Sequence, residues 1–512
     1  QVFILGTVFF GVIAGGMAAV QLLPTFEYIG LTARTEFTFD AKGGGFPFYD
    51  VAQMLFPGTV STWSPLYIGL PGLALALIGL VRSRERQSVF WGVVSLVALV
   101  AGFGARSPLY HLLYNIMPGA NVFRGQERAA YLFANSMVIL AGIGASSLAV
   151  NTNNERIVRV LRYFLVAILS LTGVIFVLWL GSSDAYSEIS IFARTVLIAI
   201  PTYLLLTSLL QGHRQRILYG LLAALLIFDL FIVNMDNRSV FVPIPPMQQL
   251  SFTPPPLVAR VLEDTATPFR VDGNYRDLYG NYATLYNVMD IRGISPLFLE
   301  GPHTLIQTNQ PVNPTSWEIF AVRYVFTDWN ELPVSSEIVA TAQDRYGTAN
   351  LHRLSDPRPF AWLVYNAALV SSDDEAYALL ADPNFTARQT VILNREVGIE
   401  LSGTRPEDVS AQVTAFTPET FSIEVNTPEN AVLTIAHPDY PGWQVTIDGQ
   451  PAEILRAYGA TMAIPVTAGQ HTVELVYEPL TYRLGSVISL MTWGALVVFS
   501  ITMLIRGQNV LK

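Results

Sequence analysis

A chain that repeatedly strings together about 20 apolar residues has few folding options, because a helix of that length crosses a hydrocarbon core. Inside that core every backbone N–H and C=O must be paired within the chain. Such windows fall at 2–23, 66–81, 88–104, 129–150, 160–180, 191–210, 217–233 and 484–505, which predicts about eight spans. Composition agrees, since 51% hydrophobic and 13% charged residues over 512 positions are too apolar for an ordinary soluble chain. The second window is short and carries Pro71, so it is expected to be tilted, kinked or partly re-entrant. The first residue is Gln1, inside an apolar run with no charged segment before it, so we expect a sequence truncated at its N-terminus.

Short loops set the orientation through their basic residues. Arg82, Arg84 and Arg86, then Arg156, Arg159 and Arg162, then Arg214 and Arg216, and finally Arg506 and Lys512 all fall on one side if the spans alternate. That side is expected to be the cytoplasm. The opposite side then receives loops 24–64 and 105–128 and the long segment 234–483. This segment holds 29 Asp and Glu against 14 Lys and Arg, a balance of −15, leaving +6 for the rest of the chain. An acidic external segment argues against nucleic acid as a partner. Without a cysteine the chain can form neither a disulfide framework nor a thiolate metal site. No histidine has metal-ligand spacing, so no cofactor is expected and a divalent metal has no motif to support it.

Past the spans, Pro243 to Pro246 and Pro254 to Pro256 read as a stiff linker. Mixed helical and strand patterns follow to about residue 400, with helices expected at 256–264 and 373–380 and strands at 269–272 and 321–327. From about 409 to 477, short alternating runs at 422–425, 432–435, 443–447 and 472–476, separated by Asp-Gly and Ala-Gly turns, predict a small antiparallel β-sandwich. The expected domains are a bundle at 1–233, a linker and α/β lobe at 234–400, the sandwich at 401–483 and a closing helix at 484–512.

Several polar residues stand out against this apolar background. Arg124, Glu127 and Arg128 sit at the lip of the 129–150 span, where they serve either as a polar helix start or as an anionic headgroup contact. Loop 24–64 holds Glu27, Arg34 and Asp50 around Gly43-Gly44-Gly45; with no preceding strand and no Gly-Lys-Ser, the glycines read better as a flexible loop than as a phosphate cradle. Residues 108–114 read as a short interfacial helix. Asp229, inside the seventh window, is either an ion site or a contact to Arg124 or Arg128; a carboxylate reaching the interface or pairing structurally with an arginine is the preferred reading. His437, Tyr440 and Trp443 could form an exposed aromatic platform, although a Pro-Gly-Trp turn more often packs its indole into a β core.

The run Tyr440-Pro441-Gly442-Trp443, then Asp448-Gly449, Ala468-Gly469-Gln470-His471, Tyr477-Glu478-Pro479 and a closing apolar helix, resembles the C-terminal part of the YfhO family of bacterial membrane proteins. Val20 to Glu27 with Arg34, Phe46-Pro47 through Pro57-Gly58, and Phe123-Arg124 with Arg128 are similar to that family's membrane half. The resemblance implies a multi-pass α-helical membrane bundle of GT-C-like fold in the bacterial plasma membrane, with an extracytoplasmic α/β lobe and the β-sandwich. It further implies transfer of a sugar from a polyprenyl-phosphate carrier to an extracytoplasmic glycan or envelope polymer. The family's base lies in its first external loop, which the expected truncation would remove.

For that chemistry Arg124 and Arg128, with Arg34 and Arg106 in reserve, are the expected donor-phosphate contacts, because the planar guanidinium fork matches phosphate. Asp50 and Glu27 are the weak candidates for the base, with Glu127 and Asp229 supporting. A noncatalytic scaffold or glycan-binding protein of the envelope is the competing reading. A secondary transporter is disfavoured by the large external segment and the lack of a visible inverted repeat.

Overall fold

The computed structural model describes the chain except for residues 1, 34–38, 59–65, 83–85, 118–123, 149–154, 180–184, 212–214, 236–251, 267, 275, 296, 309–313, 345 and 511–512. Arg34 and the proline-rich 243–246 stretch lie outside the described residues. By contacts the chain divides into two units, residues 37–250 and residues 1–36 with 251–512.

In the 37–250 unit the short helix α3 (Phe39–Lys42) precedes α4 (Leu70–Arg82), α5 (Arg86–Gly102), α6 (Pro108–Ile116), α7 (Ala130–Ser147), α8 (Glu155–Trp179), α9 (Ala185–Leu210) and α10 (Gln215–Met235). Among the described residues of the whole chain, five helices are long and apolar enough to cross a membrane, six if a bent pair near the N-terminus counts as one span. The expected eight are thus reduced, and the reason is clearest in α4. Its 13 residues rise only about 20 Å. It is buried along nearly its whole length and packs against α5, α7, α8, α9 and α10, as a helix that is apolar all round should. Small residues bring its backbone against that of α7. A Cβ on Gly144 would lie 1.9 Å from the Leu75 carbonyl oxygen, and one on Gly79 would lie 2.4 Å from that of Leu140.

A helix that begins inside the bundle leaves its first N–H groups without water. Asp229 on α10, fully buried, meets this need: it accepts from the Leu70 N–H at 2.9 Å and from the Tyr67 hydroxyl at 2.7 and 2.8 Å. The carboxylate that interrupts an apolar span therefore serves the positive end of α4 rather than pairing with an arginine. Arg194 acts on it only at longer range.

The other unit opens with α1 (Val2–Met17) and α2 (Ala19–Gly30), bent by 80° where a single first span was expected. No proline marks the break. Instead Ser489, on the closing helix α15 (Leu480–Val510), inserts its hydroxyl into the helical ladder, accepting from Val20 N–H at 3.0 Å and donating to the Gly16 carbonyl at 3.1 Å. In a straight helix those two groups would bond each other.

The same unit carries α11 (Pro256–Leu262), α12 (Glu300–His303), α13 (Pro314–Ile319) and α14 (Asp373–Leu380) around three sheets. The first contains β1 (Arg270–Asp272), β2 (Val322–Thr327), β3 (Ser336–Asp344) and β4 (Gly347–Leu354), in the order β1-β2-β4-β3, with β1 and β2 parallel. The second joins β5 (Ala361–Val364), β6 (Asn366–Leu369) and β7 (Thr390–Leu393) to β10 (Ala431–Pro438), β13 (Leu455–Ala457) and β14 (Thr461–Val466), in the order β5-β10-β14-β13-β7-β6. The third contains β8 (Ser410–Phe416), β9 (Thr420–Thr427), β11 (Trp443–Ile447), β12 (Gln450–Ala452) and β15 (Gly469–Tyr477), in the order β12-β11-β15-β9-β8.

The second and third sheets face each other across Leu363, Ile423, Leu433, Ile464 and Val473, all buried. The sandwich is larger than its sequence suggests, because β5 to β7 come from before residue 400, and β6 pairs with β7 in parallel.

Asp229→Ala leaves the Tyr67 hydroxyl and the Leu70 amide without their acceptor, at about 1–3 kcal/mol for each. The unfolding midpoint of the detergent-solubilised chain should fall accordingly; an unchanged midpoint would contradict the capping role.

Candidate functional site

The triple glycine is where the structure departs most usefully from expectation. Gly43 C=O accepts from Ala105 N–H at 2.7 Å, Gly44 C=O accepts from Gln126 N–H at 2.9 Å, and Phe46 N–H donates to Gly102 C=O at 3.1 Å. The Arg106 guanidinium donates to Gly45 C=O at 2.7 Å. There is no room for side chains at this contact. A Cβ on Gly45 would lie 2.5 Å from Gly104 N, and one on Gly104 would lie 2.3 Å from Gly43 O. Gly104 also has φ of +57°, which L side chains rarely adopt. The flexible loop read from sequence is in fact a backbone-to-backbone joint.

Three segments meet there. The first is the glycine run itself, continuing into the 3₁₀ turn Phe48–Met54; the second is the turn Gly104–Arg106; the third is 124–128, which leads into α7. Aromatic packing reinforces the joint, with Phe46 and Phe48 on Phe103 at 5.1 and 4.6 Å, and Phe39 stacked on His111 at 4.5 Å. His111 lies on α6, which starts as its sequence predicts: Ser107 caps it by accepting from Leu109 N–H, and Pro108 takes the first turn.

Arg106, Arg124, Glu127 and Arg128 are all exposed. Glu127 and Arg128 reach back over Gly125, where a Cβ would lie 3.1 Å from Glu127 Oε1 and 3.5 Å from Arg128 Nε. Among the described residues none of Arg106, Arg124 and Arg128 forms an ion pair. Asp50, one turn beyond the glycine run, is buried and accepts from Gln53 Nε2 at 3.1 Å. Burial pushes its carboxyl above the usual range, and the Gln53 bond offsets this in part.

The remaining predicted residues have other surroundings. Arg34 lies outside the described residues, and Asp229 is committed to the start of α4. Glu27 belongs to the other unit, where Thr481 Oγ1 donates to its Oε1 at 3.3 Å. The Tyr440 phenol is pushed up to about 12, chiefly by burial and then by Tyr477, Glu27 and Tyr28. With Tyr28 donating to the Leu297 carbonyl at 3.2 Å and Ala33 N–H to that of Phe298 at 3.0 Å, Glu27 forms part of the seam that holds α2 to the β-rich lobe. Among the described residues no group of three or more histidines and carboxylates is arranged to hold a metal ion.

Residues 405–489 match the family model described as bacterial membrane protein YfhO. No curated protein and no solved structure matches the chain. The YfhO match covers the third sheet, its return to the membrane and the start of α15, and with the apolar helices it makes this a membrane protein. Within the YfhO region Trp443 stacks on Phe421 at 4.8 Å and meets His437 at 5.1 Å and Tyr477 at 5.4 Å, so the indole is packed into the sandwich rather than offered as a platform. His437 is driven down to about 4, mainly by burial.

Sequence reading missed Gly104 and Gln126 as builders of the rim. The available signal was a second glycine pair, Gly102 and Gly104, which sequence alone does not connect to the first. Gly104→Ala costs about 1–2 kcal/mol for the left-handed backbone alone, before the clash with Gly43. Amide exchange at Phe46, Ala105 and Gln126, the N–H donors of the joint, should quicken by about tenfold or more; unaltered exchange there would contradict the joint.

Proposed function

We propose that the chain is a glycosyltransferase-like membrane protein that takes a sugar from a polyprenyl-phosphate donor and passes it to a glycan or envelope polymer outside the cytoplasm. The family match supports the class, and one observation carries the site: segments bearing Arg106, Arg124 and Arg128 are tied to one glycine backbone, with no carboxylate paired to any of the three among the described residues. A guanidinium fork holds a phosphate by two parallel charge-assisted bonds.

In the transfer the acceptor hydroxyl loses its proton and its oxygen attacks the anomeric carbon. The bond from that carbon to the phosphate oxygen breaks, and the electron pair leaves on the polyprenyl phosphate. Cations on the rim favour the charge that develops on the leaving group. Asp50 is the base in this scheme, its raised carboxyl making it a better proton acceptor once ionised. The basic short loops orient this rim and the acidic lobe away from the cytoplasm of a bacterial plasma membrane. The competing reading, a noncatalytic scaffold or glycan-binding protein, draws support from Glu27, whose carboxylate is engaged at a structural seam.

The test uses the full chain in nanodiscs with a labelled polyprenyl-phosphate sugar. Arg124→Ala combined with Arg128→Ala should weaken donor binding by about tenfold or more. Asp50→Asn should keep binding and lower transfer by about 10²–10⁴. Donor binding indifferent to the arginines removes the phosphate site, and full transfer by Asp50→Asn removes the base. Neither binding nor transfer by the unaltered chain would leave the scaffold reading standing.

A further inference from the structure

The geometry points to a separate anion-binding site in the β-rich lobe, a cavity of about 210 Å³ in which the buried Arg358 guanidinium receives a small oxyanion, a carboxylate or a phosphate group. Arg358 is 4% exposed. One of its terminal nitrogens donates to Thr434 Oγ1 at 2.5 Å and to the Tyr458 hydroxyl at 3.4 Å. Its Nε is buried with no hydrogen-bond partner. Among the described residues no carboxylate lies within ion-pair distance of it. A buried charge is ordinarily paired, because taking it out of water uncompensated costs several kcal/mol.

The two carboxylates that line the cavity are already taken. Arg388 donates from Nε to Glu318 at 2.7 Å and from a terminal nitrogen to Asp356 at 2.9 Å. A third guanidinium, Arg405, lies 4.0 Å over the Trp362 ring, while Arg388 is 5.5 Å from the same ring. Burial lowers the Arg405 pKa, and the charges of Arg358 and Arg388 add to that effect. Three arginines against Glu318 and Asp356 leave one positive charge uncompensated, inside a segment whose overall balance is strongly negative.

One anionic group in the cavity restores neutrality beside the Arg358 guanidinium. At the cavity Ser335 and Ser355 place their hydroxyls 2.9 Å apart, ready to meet the polar remainder of such a ligand. The volume lies below the roughly 300–1,000 Å³ of drug-sized pockets, which fits a single small group and not a lipid-linked donor. The site stands independently of the transferase reading.

Purified full chain would be titrated calorimetrically with inorganic phosphate, with glucuronate and with glucose, at ionic strength matched by chloride. Saturable binding of phosphate or glucuronate, but not glucose, is expected; the tighter of the two tells a free oxyanion from a sugar carboxylate. Arg358→Gln should weaken that binding by at least about tenfold. Because replacing a buried arginine can unfold the lobe, Ser355→Trp at an exposed position of the cavity gives a second route, blocking entry and abolishing the same heat. The proposal is overturned by no saturable response beyond chloride, by glucose binding as well as the anions, or by binding that both variants retain.

Discussion

Two loops of the 37–250 unit touch backbone to backbone, and the candidate site rests on that contact. Gly43, Gly45 and Gly104 leave no space for a Cβ, so carbonyls that would otherwise face solvent accept from Ala105, Gln126 and Arg106. The contact converts three stretches remote in sequence into one rim. Arg124 and Arg128 remain exposed because peptide groups and the Arg106 guanidinium, rather than their own charges, hold the segments together. The glycine joint adds to the support that α5, which leads into 104–106 and packs on 126–129, already gives both segments.

In an apolar medium every interrupted helix must find partners for its freed peptide groups, and each of the two units answers that demand in its own way. At the buried start of α4 the partner is Asp229, and at the bend between α1 and α2 it is Ser489. Both are polar residues inside apolar spans, and both are occupied structurally. This separates them from Arg124 and Arg128, whose charges have no carboxylate partner among the described residues.

Much of the fold was legible in sequence for simple reasons. Helices α7 to α10 and α15 follow from long apolar runs, β9, β11 and β15 from alternation, β10 from a short apolar run buried on both faces, and α14 from Ser372 and Glu375, which bond at its first turn. What escaped depends on partners far along the chain. The bend at Ala18 is made by a serine about 470 residues away, and Asp229 caps a helix 159 residues before it. β5 finds β10 some 70 residues later, which no local pattern announces. The glycine run was misread because glycine signals flexibility and close approach equally, and only the facing Gly104 decides between them. Arg124, Arg128 and Arg106 were visible as residue types at a membrane lip, but their common support was not.

The central claim is that residues 43–45 and 124–128 are held together in the native protein, and the chain's lack of cysteine makes this directly measurable. Cysteines introduced at Gly44, where a Cβ meets nothing within 4 Å, and at Gln126 would be offered a short bismaleimide in the folded, membrane-embedded chain. The account predicts rapid internal crosslinking that disappears on unfolding in detergent. Two separately modified cysteines that never join in the folded chain would contradict it.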